Sequence, residues 1–179
     1  MRRALALAAA CTFLVAACTA SHPHAQASSG SGTAASTSGP APVPGAAYAA
    51  GGCGSTPLLL GSAPTWAASA NPPPLRYALA DQGEVAGFLF AYPLMAPASA
   101  ADSDKVLWVV DSPRGGPLRV TGHPVGAAKP VVSSVWPPDS GPGEIYPSQI
   151  EVPSPGCWRF TLAWPGHSDT VDLRYIGHR

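Results

Sequence analysis

Proline is spread along this chain so densely, 22 residues among 179, that long helices are excluded. A proline inside a helix removes a backbone donor and clashes with the preceding turn, at a cost of ~3 kcal/mol. Short strands joined by turns are what such a chain can build.

The strands show as alternation of apolar and polar residues. Trp158, Phe160, Leu162 and Trp164 alternate with Cys157, Arg159, Thr161 and Ala163, which is the period of a half-buried strand. After the turn residues 165–168, Val171, Leu173 and Tyr175 alternate with Thr170, Asp172 and Arg174, so the two segments form an antiparallel hairpin. Residues 105–111 and 117–121, separated by Ser112-Pro113-Arg114-Gly115-Gly116, form a second. Residues 85–92, 130–136 and 143–152 complete a set of about seven strands, the number expected of an all-β, immunoglobulin-like antiparallel β-sandwich. The cysteine pair flanking a tryptophan that marks antibody domains is absent, so only the architecture is implied.

The N-terminus carries an address. Arg2 and Arg3 precede an apolar run from Ala4 to Ala17, the n-region and h-region of a signal peptide. As a helix that run covers only ~21 Å, against a hydrocarbon core of ~30 Å. Val15-Ala16-Ala17-Cys18 resembles a bacterial lipobox, which makes Cys18 the acylated first residue of the mature protein. Residues 1–17 are thus expected to be removed, leaving the chain exported and held by lipid on the extracytoplasmic face of the cell membrane. From 19 to 51 no side chain is charged and Ala, Ser, Thr, Gly and Pro dominate, so 18–51 reads as a flexible, disordered tether. Residues 52–84, with Asn71-Pro72-Pro73-Pro74, read as an irregular Pro-rich arm, and 85–179 as the sandwich.

Cys11 leaves with the signal and Cys18 is acylated, so Cys53 and Cys157 remain as a pair, and an oxidising compartment favours their disulfide. On its strand Cys157 points away from the aromatic core face, toward the side where a wrapping segment carrying Cys53 would meet it.

Ten Lys plus Arg balance ten Asp plus Glu, which together with export excludes a nucleic-acid partner. The chemical motifs are thin. Gly166-His167-Ser168-Asp169-Thr170 lacks the last glycine of a nucleophile elbow and lies in a hairpin instead of a strand-to-helix turn. His22-Pro23-His24 offers two imidazoles but no further ligands, and His123, His167 and His178 show no metal-ligand spacing. Asp102, Asp104 and Asp111 are loop carboxylates that spacing does not pair. No cofactor or metal is expected, and no catalysis.

Two binding features stand out. Glu144, Tyr146 and Ser148 alternate onto one strand face opposite Ile145 and Pro147, as a polar recognition surface or a plain solvated face. Among the tryptophans, Trp158 and Trp164 belong to the core, Trp66 and Trp108 are candidate sugar platforms, and Trp136 beside Pro137-Pro138 is placed best for exposure.

The segments Phe88-Leu89-Phe90-Ala91-Tyr92-Pro93-Leu94, Lys105-Val106-Leu107-Trp108-Val109-Val110, Gly143-Glu144-Ile145-Tyr146-Pro147-Ser148, Pro155-Gly156-Cys157-Trp158-Arg159-Phe160 and Val171-Asp172-Leu173-Arg174-Tyr175 resemble a group of uncharacterised actinobacterial exported lipoproteins. The similarity covers about half of the chain, and Gly156-Cys157-Trp158 is its most distinctive part. It implies export and a sandwich-like fold and carries over no catalytic residue. The expectation is a lipid-anchored module that binds an envelope protein or glycan. The alternative is a cell-envelope hydrolase whose site gathers residues from distant parts of the chain.

Overall fold

The structure, a computed structural model, describes residues 40–41, 43–68, 75–100, 104–138 and 143–179. The expected signal segment 1–17, Cys18, His22, His24, Asp102 and the expected tether through residue 39 lie outside them.

Two β-sheets pack face to face. The first, sheet A, holds β1 (Ala46–Cys53), β2 (Thr56–Gly61), β3 (Arg76–Leu79), β4 (Val85–Leu89), β6 (Lys105–Val110) and β9 (Ile145–Gln149), in that spatial order. The second, sheet B, runs β5 (Leu94–Met95), β11 (His167–Ile176), β10 (Gly156–Trp164), β7 (Leu118–Pro124) and β8 (Val132–Trp136). All described pairings are antiparallel except β5 with β11, which is parallel. The β10–β11 hairpin turns on Pro165-Gly166, where Gly166 takes φ +81°, the left-handed conformation that the second central residue of such a turn requires.

The core between the sheets is built from the alternating inward side chains. Leu118, Val120, Trp158, Phe160, Leu162, Val171, Leu173 and Tyr175 from sheet B meet Val85, Val106, Trp108 and Tyr146 from sheet A. Trp108 lies so close over β4 that a Cβ at residue 87 would overlap its ring, so that position is glycine.

Sheet A is also covered on its other side. Leu59, Tyr77, Leu79, Phe88, Leu107 and Val109 form a second apolar layer, against which Val43, Ala63, Trp66 and Leu75 pack. Trp66 belongs to the one-turn helix α1 (Thr65–Ala68). Strand β4, Val-Ala-Gly-Phe-Leu, is consequently buried at every residue. A strand buried on both faces reads as a continuous apolar run rather than as alternation.

The ordered domain begins well before residue 85. Strand β1 falls in the expected tether and reaches into the expected arm, β2 and β3 fall within that arm, and the two-residue β5 is a further addition, so the described residues carry eleven strands where about seven were expected. The Ala- and Gly-rich sequence of β1 has little intrinsic strand preference and is held by tertiary pairing with β2. Its turn is Gly54-Ser55, with Gly54 at φ +56°.

Candidate functional site

The β1–β2 turn lands on sheet B. Cys53, the last residue of β1, is bonded to Cys157 on β10, with Cα atoms 5.8 Å apart, as the outward direction of Cys157 requires. Beside the bridge, the Ser55 N–H donates to Asp172 Oδ2 at 2.9 Å, and Ser55 Oγ donates to Asp81 Oδ1 at 3.1 Å. Arg159 donates from Nε to Asp172 Oδ1 and from Nη2 to Oδ2, both at 2.8 Å. Burial pushes the Asp172 carboxyl up, but the Arg159 guanidinium and the Ser55 donors outweigh it and hold the group below the ordinary carboxylate range.

Asp169 is treated differently. Its carboxylate accepts the backbone N–H groups of Gln82, Glu84 and Thr170, and burial, the largest influence, still raises it above its usual value. Both buried acids act as struts. They close the part of the β11 edge that the two-residue β5 leaves open, together with the Asp81 N–H on Thr170 O and Asp172 N–H on Thr56 Oγ1.

The expected recognition surface is not at the surface. Tyr146 is fully buried, with its hydroxyl 2.8 Å from Gly116 O and 3.1 Å from Arg114 O, and Ser148 is buried with Oγ donating to Val106 O at 2.9 Å. Glu144, just before β9, accepts from Arg114 N at 2.8 Å and Nε at 3.1 Å and so braces the loop after β6. The alternation was real but pointed inward, because Ile145 on the opposite face also has an apolar layer to join. Trp136 is half-buried at the core margin, its Nε1 donating to Ser134 Oγ, Trp108 is core, and Trp66 packs on sheet A. These indoles do not form a common platform.

What is left open is the outer face of sheet B, which sequence reading did not single out. Strand register places Ser133 of β8 opposite Thr121 of β7, Thr121 opposite Thr161 of β10, and Thr161 opposite Thr170 of β11. Side chains directly opposite share a face, so four hydroxyl groups form a row across the strands, ~4.8 Å from strand to strand and ~14 Å in all. The row is bordered on one side by Val135, Arg119 and Ala163 and on the other by His123, Arg159 and Asp172, each ~7 Å away along the strands. At its β11 end Thr170 Oγ1 donates to Asp81 Oδ2 at 2.8 Å.

The charges on this sheet are sorted by burial. Its acids, Asp169 and Asp172, are 0 % and 2 % exposed, whereas Arg119 and Arg174 are exposed and Arg159 is half-exposed. Exposed Lys129 stands in the turn between β7 and β8. Of the exposed or half-exposed acids described, Glu84, Asp111 and Glu144 sit in loops at the end of the sandwich where β4 and β9 begin and β6 ends, whereas Asp81 meets the β11 end of the row at Thr170 and Glu151 lines a small hollow with Ser133 at its β8 end. The Asp111 N–H donates to Glu84 O and the Val110 N–H to Glu144 O, which fixes that neighbourhood.

A separate concavity of about 730 Å³ lies on the covered side of sheet A, against Val43, Pro44, Pro64, Trp66 and Leu79. Its described lining contains no ionisable side chain. Among the described residues no helix is long and apolar enough to cross a membrane. No family model, no curated protein and no solved structure matches this chain, so the geometry of the site stands as the guide to what it does.

Proposed function

We propose that the protein is a lipid-anchored, extracytoplasmic, immunoglobulin-like module without catalytic activity, which holds a component of the cell envelope against the outer face of sheet B. The observation that carries this reading is the unequal covering of the two sheets. Val43, Ala63, Trp66 of α1 and Leu75 pack over the outer face of sheet A, while the outer face of sheet B, apart from the corner where the β1–β2 turn rests on Asp172, keeps its hydroxyl row and Arg119 exposed or half-exposed. The buried acids support a binding role, since Asp169 and Asp172 are consumed by structural hydrogen bonds.

The strand order supports the immunoglobulin-like description. With β4 as strand A, β5 as A′, and β6 to β11 as B, C, C′, E, F and G, the sheets become A-B-E and A′-G-F-C-C′. The β1–β3 segment then extends the A-B-E sheet. The anchor is supported by Arg2-Arg3, the apolar run and the Val15-Ala16-Ala17-Cys18 site.

Cosedimentation of the unacylated Cys18→Ser protein with isolated cell envelopes, with and without the face substitutions, tests the binding reading, alongside intact mass of the membrane-extracted wild-type chain. Expected are a mature mass beginning at Cys18 with acyl chains, lost in Cys18→Ser, and binding that falls at least about tenfold in Thr121→Glu/Ser133→Glu, the effect of losing one good contact of ~1.4 kcal/mol. An unacylated mass overturns the anchor, and equal binding by the variant overturns the face.

A further inference from the structure

We infer that two copies of this chain join through the free edges of their β8 strands, paired antiparallel about a twofold axis at Ser134. Among the described residues, β8 is the sheet edge left unprotected. Pro147 stands in the middle of β9, and the register of β1 breaks between Ala49 and Cys53, where the Tyr92 hydroxyl donates to Ala50 O. The edge at β11 is closed by β5 and by the struts at Asp169 and Asp172. Strand β8 ends sheet B, keeps an unbroken register with β7, and carries neither charge nor proline within Val132–Trp136.

The ladder shows which backbone groups are open. The Val125 N–H donates to Cys157 O, so by alternation His123, Thr121 and Arg119 also turn their backbone groups toward β10. Gly122, Val120 and Leu118 then bond to Val132, Ser134 and Trp136, which leaves the N–H and C=O groups of Ser133 and Val135 on the outer edge. With Ser134 on the axis, Ser133 lies opposite the partner's Val135 and Val135 opposite the partner's Ser133, each pair exchanging both of its N–H···O bonds. Ser134 meets the partner's Ser134 in the closely spaced position between them, and Val132 meets the partner's Trp136.

The chemistry of the edge selects a second copy. Val125, Val131 and Val135, three of the six large apolar side chains exposed among the described residues, cluster on the β7–β8 hairpin. The sandwich is also open here: a hollow of about 210 Å³ separates β8 from the end of β9, and Val132 and Trp136 stay half-buried. Charges stand off the strand, Arg119 on β7 and Glu151 across the hollow, where Gln149 Nε2 donates to it at 3.0 Å. A ligand recognised by charge has nothing to hold on β8 itself, whereas an identical strand covers Val132 and Trp136 and opposes no like charges. Pro130 and Pro137-Pro138 confine the pairing to the strand, and the blunted edges elsewhere stop the joined sheet at two copies. The pairing is independent of what the outer face of sheet B holds.

The test uses the full-length protein with Cys11→Ser/Cys18→Ser, in nonionic detergent with micelles in excess over chains, so that an introduced cysteine is the free thiol. Sedimentation equilibrium is expected to show a reversible dimer, weakened at least about tenfold by Val135→Glu and kept in Val135→Thr. Val135 is exposed, and an unchanged melting temperature shows that Val135→Glu folds. In a closely spaced antiparallel pair the Cα atoms stand ~4.5 Å apart, within disulfide reach. Ser134→Cys is therefore expected to cross-link on mild oxidation at least about tenfold faster than Ser168→Cys, in an exposed turn. A monomer at all concentrations overturns the proposal, as does a dimer that ignores Val135→Glu with Ser134→Cys no faster than Ser168→Cys. A monomer whose envelope binding falls in Val135→Glu gives the edge to an envelope partner and overturns it as well.

Discussion

Arg159 and Asp172 face each other across the β10–β11 ladder and are joined by two parallel 2.8 Å hydrogen bonds, with Asp172 at 2 % exposure and the β1–β2 turn resting on the pair. Removing one partner strands the other's hydrogen-bonding groups. Asp172→Ala is expected to cost about 2–3 kcal/mol, since Arg159 is half-exposed and regains water. Urea unfolding of the variant checks this, and a cost near zero would mean that the pair is ornamental.

The two buried aspartates have opposite pH signatures. Asp169 is raised in the folded state, so between its folded value and the ordinary value of ~3.9 the folded protein binds the extra proton, and stability rises as pH falls. Asp172 is depressed, so its contribution is full above the ordinary value and is lost as pH falls below it toward the folded value. Urea midpoints across the acidic range are expected to pass through a maximum near the ordinary aspartate value. Asp169→Asn removes the rise on its alkaline side and Asp172→Asn softens the fall on its acid side.

The Cys53–Cys157 bridge closes a segment with a sequence separation of 104. A loop of that length gives up to ~4.7 kcal/mol in the chain-entropy model, and bridges in practice contribute about 2–4 kcal/mol. Reduction, or Cys53→Ser/Cys157→Ser, is expected to lower stability by that amount, seen as a drop in melting temperature. An unchanged melt would show that the hairpin is held by its hydrogen bonds alone.

Gly87→Ala places a methyl group where the Trp108 ring lies, and overpacking of this kind costs about 1–3 kcal/mol. Thermal melting reads the loss directly. A neutral result would mean that β4 and β6 slide apart at no cost.

Tyr146→Phe separates the surface and core readings of β9. A solvent-facing phenol would be replaced silently, whereas the buried one loses its bonds to Gly116 O and Arg114 O, at about 1–2 kcal/mol by denaturant unfolding.

Of the eight strands from residue 85 onward, all but the two-residue β5 were legible, because most carry either alternation or compact β-branched and aromatic runs between turn residues. Strands β1 to β3 were not. Ala46-Ala47-Tyr48-Ala49-Ala50-Gly51-Gly52 has the composition of a linker, and its order comes from pairing with Leu58, Leu59 and Leu60, which no local window contains. Tyr146 and Ser148 were read on the wrong side for a related reason. Alternation assigns faces only when one of them is wet, and Ile145 on the other face packs against the second apolar layer of sheet A. The hydroxyl row was half visible: Thr161 and Thr170 fall on the polar side of their hairpin. Their alignment with Thr121 and Ser133 depends on the register of β7 and β8, which sequence spacing alone does not set.

The anchoring of β1 bears on how the domain carries load. A tug arriving through the segment before Ala46 pulls at the free end of an edge strand, the geometry in which hydrogen bonds break one pair at a time like a zip. Peeling runs from the Ala46–Gly61 pair toward the turn and meets the covalent link at Cys53. From there tension passes into β10, hydrogen-bonded on both flanks to β7 and β11, so the edge strand yields as a short extensible leader while the strand at the middle of sheet B bears the strain.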